Sequence, residues 1–567
     1  MAYNKKQIVG YLSGLPVILW IIVILAYSVN VPWYDDFDPF PDFLRQWISS
    51  ATLTDKILLL IRPNNEHRMV IGKLVTLIYF WLTGKLNFTF LHIAGACFTM
   101  GTLYLFWLSF KESKINWWYF LPIVFLFFQL QYYLVYLWAI CSLQHQPVVF
   151  FLCLSMFFLS RGRFGWAVVA AFLANYSMSN GIFVWAAGGA VLFLRSDYKK
   201  LLIWCIVGAV AIGLYFYGLT TMGNEESIEY LKKYPELSVL GFFAFLGGLF
   251  DLVPERKIEI RTALPIVMGL LLMIWVVKWL WFFMKDWVDH NLKMKLHVAK
   301  IYDRDPGNKV SRLSWFLLGV MIFLLINALI IGLLRPRFGF FVMVVSNYKL
   351  YPALFLIVTY LAYISYQPDQ HKRQIMLLMA TALSIFIWAI SLYSYLPIIS
   401  ERSKYLKVNG WNQAHHAFGL GHVPFSAGAK YVDTVMQEMV NNGIYEYPEE
   451  INYIPRIIEK LQEPVRSDIR ASVMMNPDNV SITEPLSHLS LGRWDGTYAF
   501  LRSEKKLYLY KMAQQKYNGR NLLKSYDKGT YVQIPLSSVE PGNYEAGILK
   551  IGGDDFDGGI IKNITIH

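Results

Sequence analysis

Apolar runs close to the ~20 residues a helix needs to cross a bilayer recur along the first two thirds of the chain and stop near residue 397. The first covers residues 11–29, behind Lys5 and Lys6. It has no small-residue cleavage site, so it reads as an uncleaved first span and not as a signal peptide. Further spans are predicted at 88–110, 117–134, 147–159, 165–175, 181–194, 201–219, 263–284, 314–334, 350–366 and 374–396. That makes about eleven. Residues 69–83 form a shorter run that contains Lys73 and lies between Arg68 and Lys85. Read as a helix lying along the interface, it leaves Lys111, Lys114, Arg161, Arg163, Arg195, Lys199, Lys200, Lys372 and Arg373 on one side, with the basic stretch 285–312. That satisfies the positive-inside rule, and counting the run as a span would invert every one of these connections. The short run 240–252 is expected to be a buried or interfacial segment.

Past residue 398 the pattern changes. Charges, Asn and Gly become frequent, residues 431–441 carry a helical period, and from about 465 short alternating segments appear at 507–510, 531–534, 544–551 and 560–566. Turn signals such as Pro541-Gly542 and Asp557-Gly558 separate them. The expected architecture is an α-helical polytopic membrane module over 1–397, with interfacial helices in its first outer loop. A mixed helical connector over 398–464 follows, then a β-rich outer domain over 465–567, read as a sandwich. An odd number of spans places the C-terminus on the side opposite the N-terminus.

Composition agrees. Hydrophobic residues make up 56% and charged residues only 16%, against ~25% charged in a soluble domain, which excludes a soluble enzyme and a disordered chain. Aromatics at 17% suit a protein with many membrane–water boundaries. Cys97, Cys141, Cys153 and Cys205 lie in or beside apolar runs, so no disulfide framework is expected. The net charge of +13 belongs to the positive-inside bias and an anion site, and nucleic acid is not an expected partner.

The chemistry concentrates in polar loops. The first outer loop places Asp35, Asp36, Asp38 and Asp42 among aromatics and prolines, directly after a span. Such an acid pair can act as a general base, and Asp35 with Asp36 allows a divalent cation without requiring one. Asp38 and Asp42 read better as solvated or capping acids. The same loop continues to Arg62-Pro-Asn-Asn-Glu-His-Arg68, where Glu66 and His67 can exchange protons and Arg68 can hold phosphate or carboxylate; a helix-cap region is the plainer reading of that stretch. Arg335, Arg337 and Lys349 fall on the outer side, against the charge bias, in Arg335-Pro-Arg-Phe-Gly339 and Ser346-Asn-Tyr-Lys349. Cations placed there, with Tyr348 beside them, suggest a bound phosphate, and lipid headgroups are the bland alternative. Asn175–Gly181, with Asn180, and the Gln144-His145-Gln146 patch put polar groups at outer span ends, where they could bond a sugar or simply break helices. His415, His416 and His422 show no metal-ligand spacing, and no P-loop or GxSxG motif stands in a usable context.

A first helix, an outer loop with an acid pair and interfacial helices before the second span resemble the GT-C superfamily of membrane glycosyltransferases. Asp35-Asp36 stands where that family has its catalytic acidic motif, and Asn65-Glu-His-Arg68 is similar to its second polar motif. Arg335–Gly339 and Asn347-Tyr-Lys349 resemble the late outer loop that meets the donor phosphate. Ser179-Asn-Gly181 is similar to a motif of bacterial polymer-modifying members, most like serotype-converting O-antigen glucosyltransferases. The resemblance covers residues 1–397, and Asp-Asp replaces the better-known Asp-Glu. It implies a polyprenyl-phosphate (undecaprenyl phosphate) sugar donor, a glycan acceptor such as the O-antigen of lipopolysaccharide, and inversion at the sugar. It implies a bacterial inner membrane with the N-terminus cytoplasmic and the C-terminal domain periplasmic, and a small flippase and a lipid-sugar synthase as partners. In that scheme Asp35, Asp36 and Glu66 are catalytic, and His67, Arg68, Asn180, Arg335, Arg337, Tyr348 and Lys349 bind substrate. The alternatives are a flippase for lipid-linked sugars, which calls for charges along the middle of the spans, and a non-enzymatic cell-envelope assembly protein.

Overall fold

The computed structural model describes residues 5–64, 67–219, 224–295, 310–461 and 470–567. The chain is mostly helical, with strands confined to its C-terminal region. Among the described residues, eight helices are long and apolar enough to cross a membrane. They are Val9–Tyr27, Phe88–Glu112, Ala139–Ser160, Tyr198–Phe216, Ile258–Lys285, Arg312–Leu334, Ser346–Tyr366 and the apolar part of Gln370–His416. The chain is therefore a polytopic membrane protein carrying a β domain.

The other three expected spans are shorter helices. Trp117–Phe127 stops where Gln129 and Gln131 enter the run. Both glutamines are buried, and the Gln131 side chain donates to the carbonyl of Leu249 at 2.9 Å. Phe164–Asn175 and Phe183–Leu194 have 12 residues each. A 12-residue helix rises ~18 Å, short of the ~30 Å hydrocarbon layer. The interfacial candidate Val70–Thr83 has 14 residues, and its Lys73 is fully buried, with Nζ donating to the carbonyl of Leu59 at 3.0 Å. The expected segment at 240–252 is the helix Pro235–Leu246 followed by the turn Gly248–Phe250.

The described chain folds into two compact units, which do not follow chain order. One comprises 1–22, 60–72 and 93–392. Its centre is the helix Ala139–Ser160, 89% of whose apolar window is buried. The helix Arg312–Leu334, buried along one face, and Ser346–Tyr366 belong to the same core.

The second unit joins 23–59 and 73–92 to 393–567. The first polar loop belongs here because its aromatics need cover. Phe37, Phe40, Phe43 and Leu44 are buried. Tyr445 donates to the carbonyl of Asn30 at 2.7 Å, Arg45 pairs with Glu438 of the helix Ala427–Asn441, and the Leu86 amide donates to Ile444. The strands are β1 (Ser472–Met475), β2 (Asn479–Glu484), β3 (Gly496–Arg502), β4 (Leu507–Lys511), β5 (Ala513–Lys516), β6 (Tyr526–Pro535), β7 (Gly542–Gly552) and β8 (Asp555–Ile566). They form two antiparallel four-stranded sheets, ordered β1-β2-β6-β5 and β4-β3-β7-β8. Val480, Ile482, Ile534, Ala499, Leu501 and Ile548 fill the core between them. The outer side of the second sheet is covered by Val408, Ile454 and Ile458, which pack on Tyr498, Phe500 and Leu549.

Candidate functional site

In the helical unit, the tip between Phe164–Asn175 and Phe183–Leu194 reaches a cavity of about 250 Å³. Gly181 closes this tip so tightly that a Cβ there would strike the carbonyl of Ala174. The turn turns Asn180 inward, and its Nδ2 donates to the Tyr351 hydroxyl at 2.8 Å and to Asn327 Oδ1 at 3.2 Å. The Tyr351 oxygen also lies 2.8 Å from His145 Nδ1. A hydroxyl that accepts from Asn180 keeps its own proton to donate.

Two buried polar atoms of this set, Asn180 Oδ1 and Asn327 Nδ2, have no hydrogen-bond partner among the described residues. One accepts and one donates, and both residues line the cavity. An unmet buried polar atom costs ~1–3 kcal/mol, so the wall is ready for a ligand that can both donate and accept. Sugar hydroxyls do both. The rest of the lining divides by polarity. His67, Arg335 and Tyr348 lie among its polar members, while Ile182, Phe183, Ile330, Ile331 and Leu334 make an apolar wall.

Four of the residues singled out in the sequence thus meet here: His67, Asn180, Arg335 and Tyr348. Three cations have other partners. Arg68 is buried, its Nε donates to the carbonyl of Tyr215 at 2.6 Å, and its two terminal nitrogens reach the carbonyls of Ile61 and Tyr217. It ties Ile61 and Arg68 to the end of the helix Tyr198–Phe216. Lys349 is buried against Asp251 at 2.8 Å, and Arg261 holds the same carboxylate at 2.8 Å. Arg337 pairs with Glu226 at 2.8 Å. Glu66 lies outside the described residues. Burial pushes the Asp251 carboxyl up, but Lys349 and Arg261 outweigh it and hold the group below the ordinary carboxylate range.

Asn327 and Tyr351 escaped the sequence reading. The signal for Asn327 was present, a lone carboxamide inside the apolar run 314–334, where polar side chains are costly and tend to be functional. Tyr351 lies at the start of the predicted span 350–366, with no local signal to mark it.

The acid pair belongs to the other unit. Asp36 is buried, and its Oδ2 accepts from the Trp33 amide at 2.9 Å, a capping arrangement that fixes the turn Tyr34–Asp36. Asp35 is exposed. Tyr34 stands at φ 48, a left-handed conformation that is costly for an aromatic residue, and its amide donates to Leu420 at 3.2 Å. Strain of this kind collects at functional sites. Asp42 is buried and paired with Arg45 at 2.7 Å. Burial, and then the charges of Asp42 and Asp38, raise the Tyr431 phenol well above its ordinary range, so it stays a donor to Asp42. No group of three or more His, Cys, Asp or Glu placed to hold a metal ion occurs among the described residues.

The strained turn leans on Gly421. Its φ of 104 is left-handed territory, and a Cβ there would lie 2.5 Å from the Tyr34 ring. Gly421→Ala is expected to cost about 1–3 kcal/mol, read as a lowered melting temperature of the purified protein. An unchanged melting temperature would show that the turn carries no strain.

No protein-family model matches this chain, and no curated protein or solved structure matches it either, so a functional reading rests on its own residues.

Proposed function

We propose that the chain is a membrane glycosyltransferase of the GT-C kind. It moves a sugar, a hexose such as glucose, from a polyprenyl-phosphate donor to a hydroxyl of a glycan such as O-antigen. The proposed setting is the periplasmic face of a bacterial inner membrane, with the β domain and first polar loop on that face. The observation that carries the reading is the cavity wall, with an unmet donor and an unmet acceptor in Asn327 and Asn180 beside Arg335 and an apolar flank. The carboxamides suit sugar hydroxyls, the guanidinium suits a phosphate and the apolar flank suits a prenyl tail.

In the proposed step the acceptor oxygen bonds to the anomeric carbon as its proton passes to a carboxylate base, the role that the acidic sequence motif gives Asp35. The bond from that carbon to the donor's phosphate oxygen breaks, and the electron pair leaves with the phosphate, whose charge Arg335 stabilises. A single displacement inverts the anomeric centre. Asp35 is assigned as the base because it is exposed to an incoming acceptor, while Asp36 positions the turn.

Arg335→Ala tests the donor assignment. The KM for the lipid donor is expected to rise about tenfold or more, and the KM for the acceptor to stay within about twofold, since a charge-assisted contact contributes ~1.5–3 kcal/mol. Equal rises in both would remove Arg335 from the donor site.

A further inference from the structure

Two helices hold the β-sandwich by the same device. The Tyr27 hydroxyl, at the end of the first long helix, donates to the carbonyl of Leu491 at 3.0 Å. The Tyr393 hydroxyl donates to the carbonyl of Leu523 at 2.8 Å. Both tyrosines close an apolar run that begins just after lysines, Lys6 in one case and Lys372 in the other. The rise from Lys6 to Tyr27, and from Lys372 to Tyr393, is about 31 Å at helical pitch, which matches the hydrocarbon thickness of ~30 Å. On the second helix, Leu378, Met379, Ile385, Phe386 and Tyr393 are exposed large hydrophobics spaced by helical turns, a lipid-facing stripe that stops at Tyr393. Tyrosines in such places mark the membrane–water boundary.

The carbonyls of Leu491 and Leu523 are thus each bonded to a tyrosine near the end of an apolar helical run. Both side chains are exposed among the described residues. Leu486, Leu491, Leu522 and Leu523 are 47%, 43%, 51% and 56% exposed. The loop that carries the last two is strongly basic, with Lys516, Arg520, Lys524 and Lys528 against the single acid Asp527. Beside it lies a cavity of about 380 Å³ lined by Tyr393, His488, Lys524, Tyr526, Asp527 and Lys528. Lys524 Nζ sits 2.6 Å from Asp527 and over the Tyr517 ring, while Lys528 is exposed.

We propose that the loops 486–491 and 517–528 dock the β-sandwich onto a bilayer surface rich in anionic phospholipid. Leu522 and Leu523 enter the interface, and Lys524 and Lys528 meet headgroup phosphates at the mouth of the cavity. Exposed leucines alone would take any bilayer. The bracketing cations select an anionic one, because basic residues beside such a surface gain from its negative potential. The sandwich is then fixed at the membrane by its own loops, whatever reaction the chain performs.

The test is amide exchange of the segment 517–525 in the full chain, in nanodiscs of phosphatidylcholine alone or with about 30 mol % phosphatidylglycerol. Exchange is expected to slow on the anionic discs by about fivefold for each lysine engaged. The variant K524E/K528E is expected to lose that difference while exchange in β3 and β7 stays unchanged, which shows that the sandwich is still folded. Equal exchange on the two bilayers would overturn the proposal. So would a preference for anionic discs that survives in K524E/K528E.

Discussion

Asp35→Asn is expected to lower the rate of sugar transfer by about 10²–10⁴-fold, the usual contribution of a positioned general base, with normal protein levels in the membrane. Asparagine keeps the size of the side chain and cannot take the acceptor's proton. Asp36→Asn is expected to act differently. Asp36 is 2% exposed and caps the Trp33 amide, so the amide variant can keep one accepting oxygen but loses the charge-assisted bond. A loss of about 1–2 kcal/mol in stability with a milder drop in rate is the expected result. The comparison is made by timed transfer assays beside thermal melts. If Asp36→Asn abolishes transfer in a fully stable protein while Asp35→Asn leaves it intact, the two assignments are reversed.

Lys349→Met is expected to be the most damaging substitution for the fold of the helical unit. Asp251 is fully buried, and Lys349 and Arg261 supply its counter-charges. Without Lys349 the carboxylate keeps Arg261 but loses its fully buried partner, and breaking a buried pair costs up to about 3–5 kcal/mol. The double variant D251N/K349M removes both charges and is expected to recover much of the loss. Melting temperatures of the two variants in detergent decide the matter, and equal melting of the single variant and the wild type would contradict it.

The same triad sets an acid limit. The folded carboxyl of Asp251 titrates below its ordinary value because Lys349 and Arg261 outweigh the effect of burial. A depressed carboxylate contributes its stability fully above the unfolded pKa of ~3.9, and loses it as pH falls through the lower folded value. Stability measured from pH 7 to 5 should not change on this account, with the loss appearing below about 4.

The reading of the membrane module from sequence succeeded where a run was long and uninterrupted, as at Val9–Tyr27 and Arg312–Leu334. The count of about eleven is unconfirmed where polar residues sit inside apolar stretches. Gln129 and Gln131 are invisible to an average over a window, yet they end a helix because their amides bond to neighbouring backbone. The tip at Asn175–Gly181 joins two shorter apolar helices, where Gly181 permits a close approach to the backbone of Ala174. The strands were legible from period-two alternation and turn residues, as at β7 (Gly542–Gly552) and β8 (Asp555–Ile566).

The site was legible as a set of residue types and not as a set of partnerships. Charge expected on the outer side was the reason to single out Arg335, Arg337 and Lys349, and of these three Arg335 lines the cavity. Nothing local could show that Lys349 meets Asp251, 98 residues away, or that Arg68 spends its guanidinium on three backbone carbonyls. The reverse holds for Asn180. Its short motif was a weak signal, and its weight comes from Asn327 and Tyr351 on distant helices.

The most direct measurement is transfer of a labelled hexose from a synthetic polyprenyl phosphate to a glycan acceptor by the purified full-length chain in proteoliposomes. The account predicts a glycan product with the inverted anomeric configuration, formed by the wild type and lost with Asp35→Asn. Movement of the intact donor across the bilayer with no hexose on the acceptor, or equal transfer by wild type and Asp35→Asn, would contradict it.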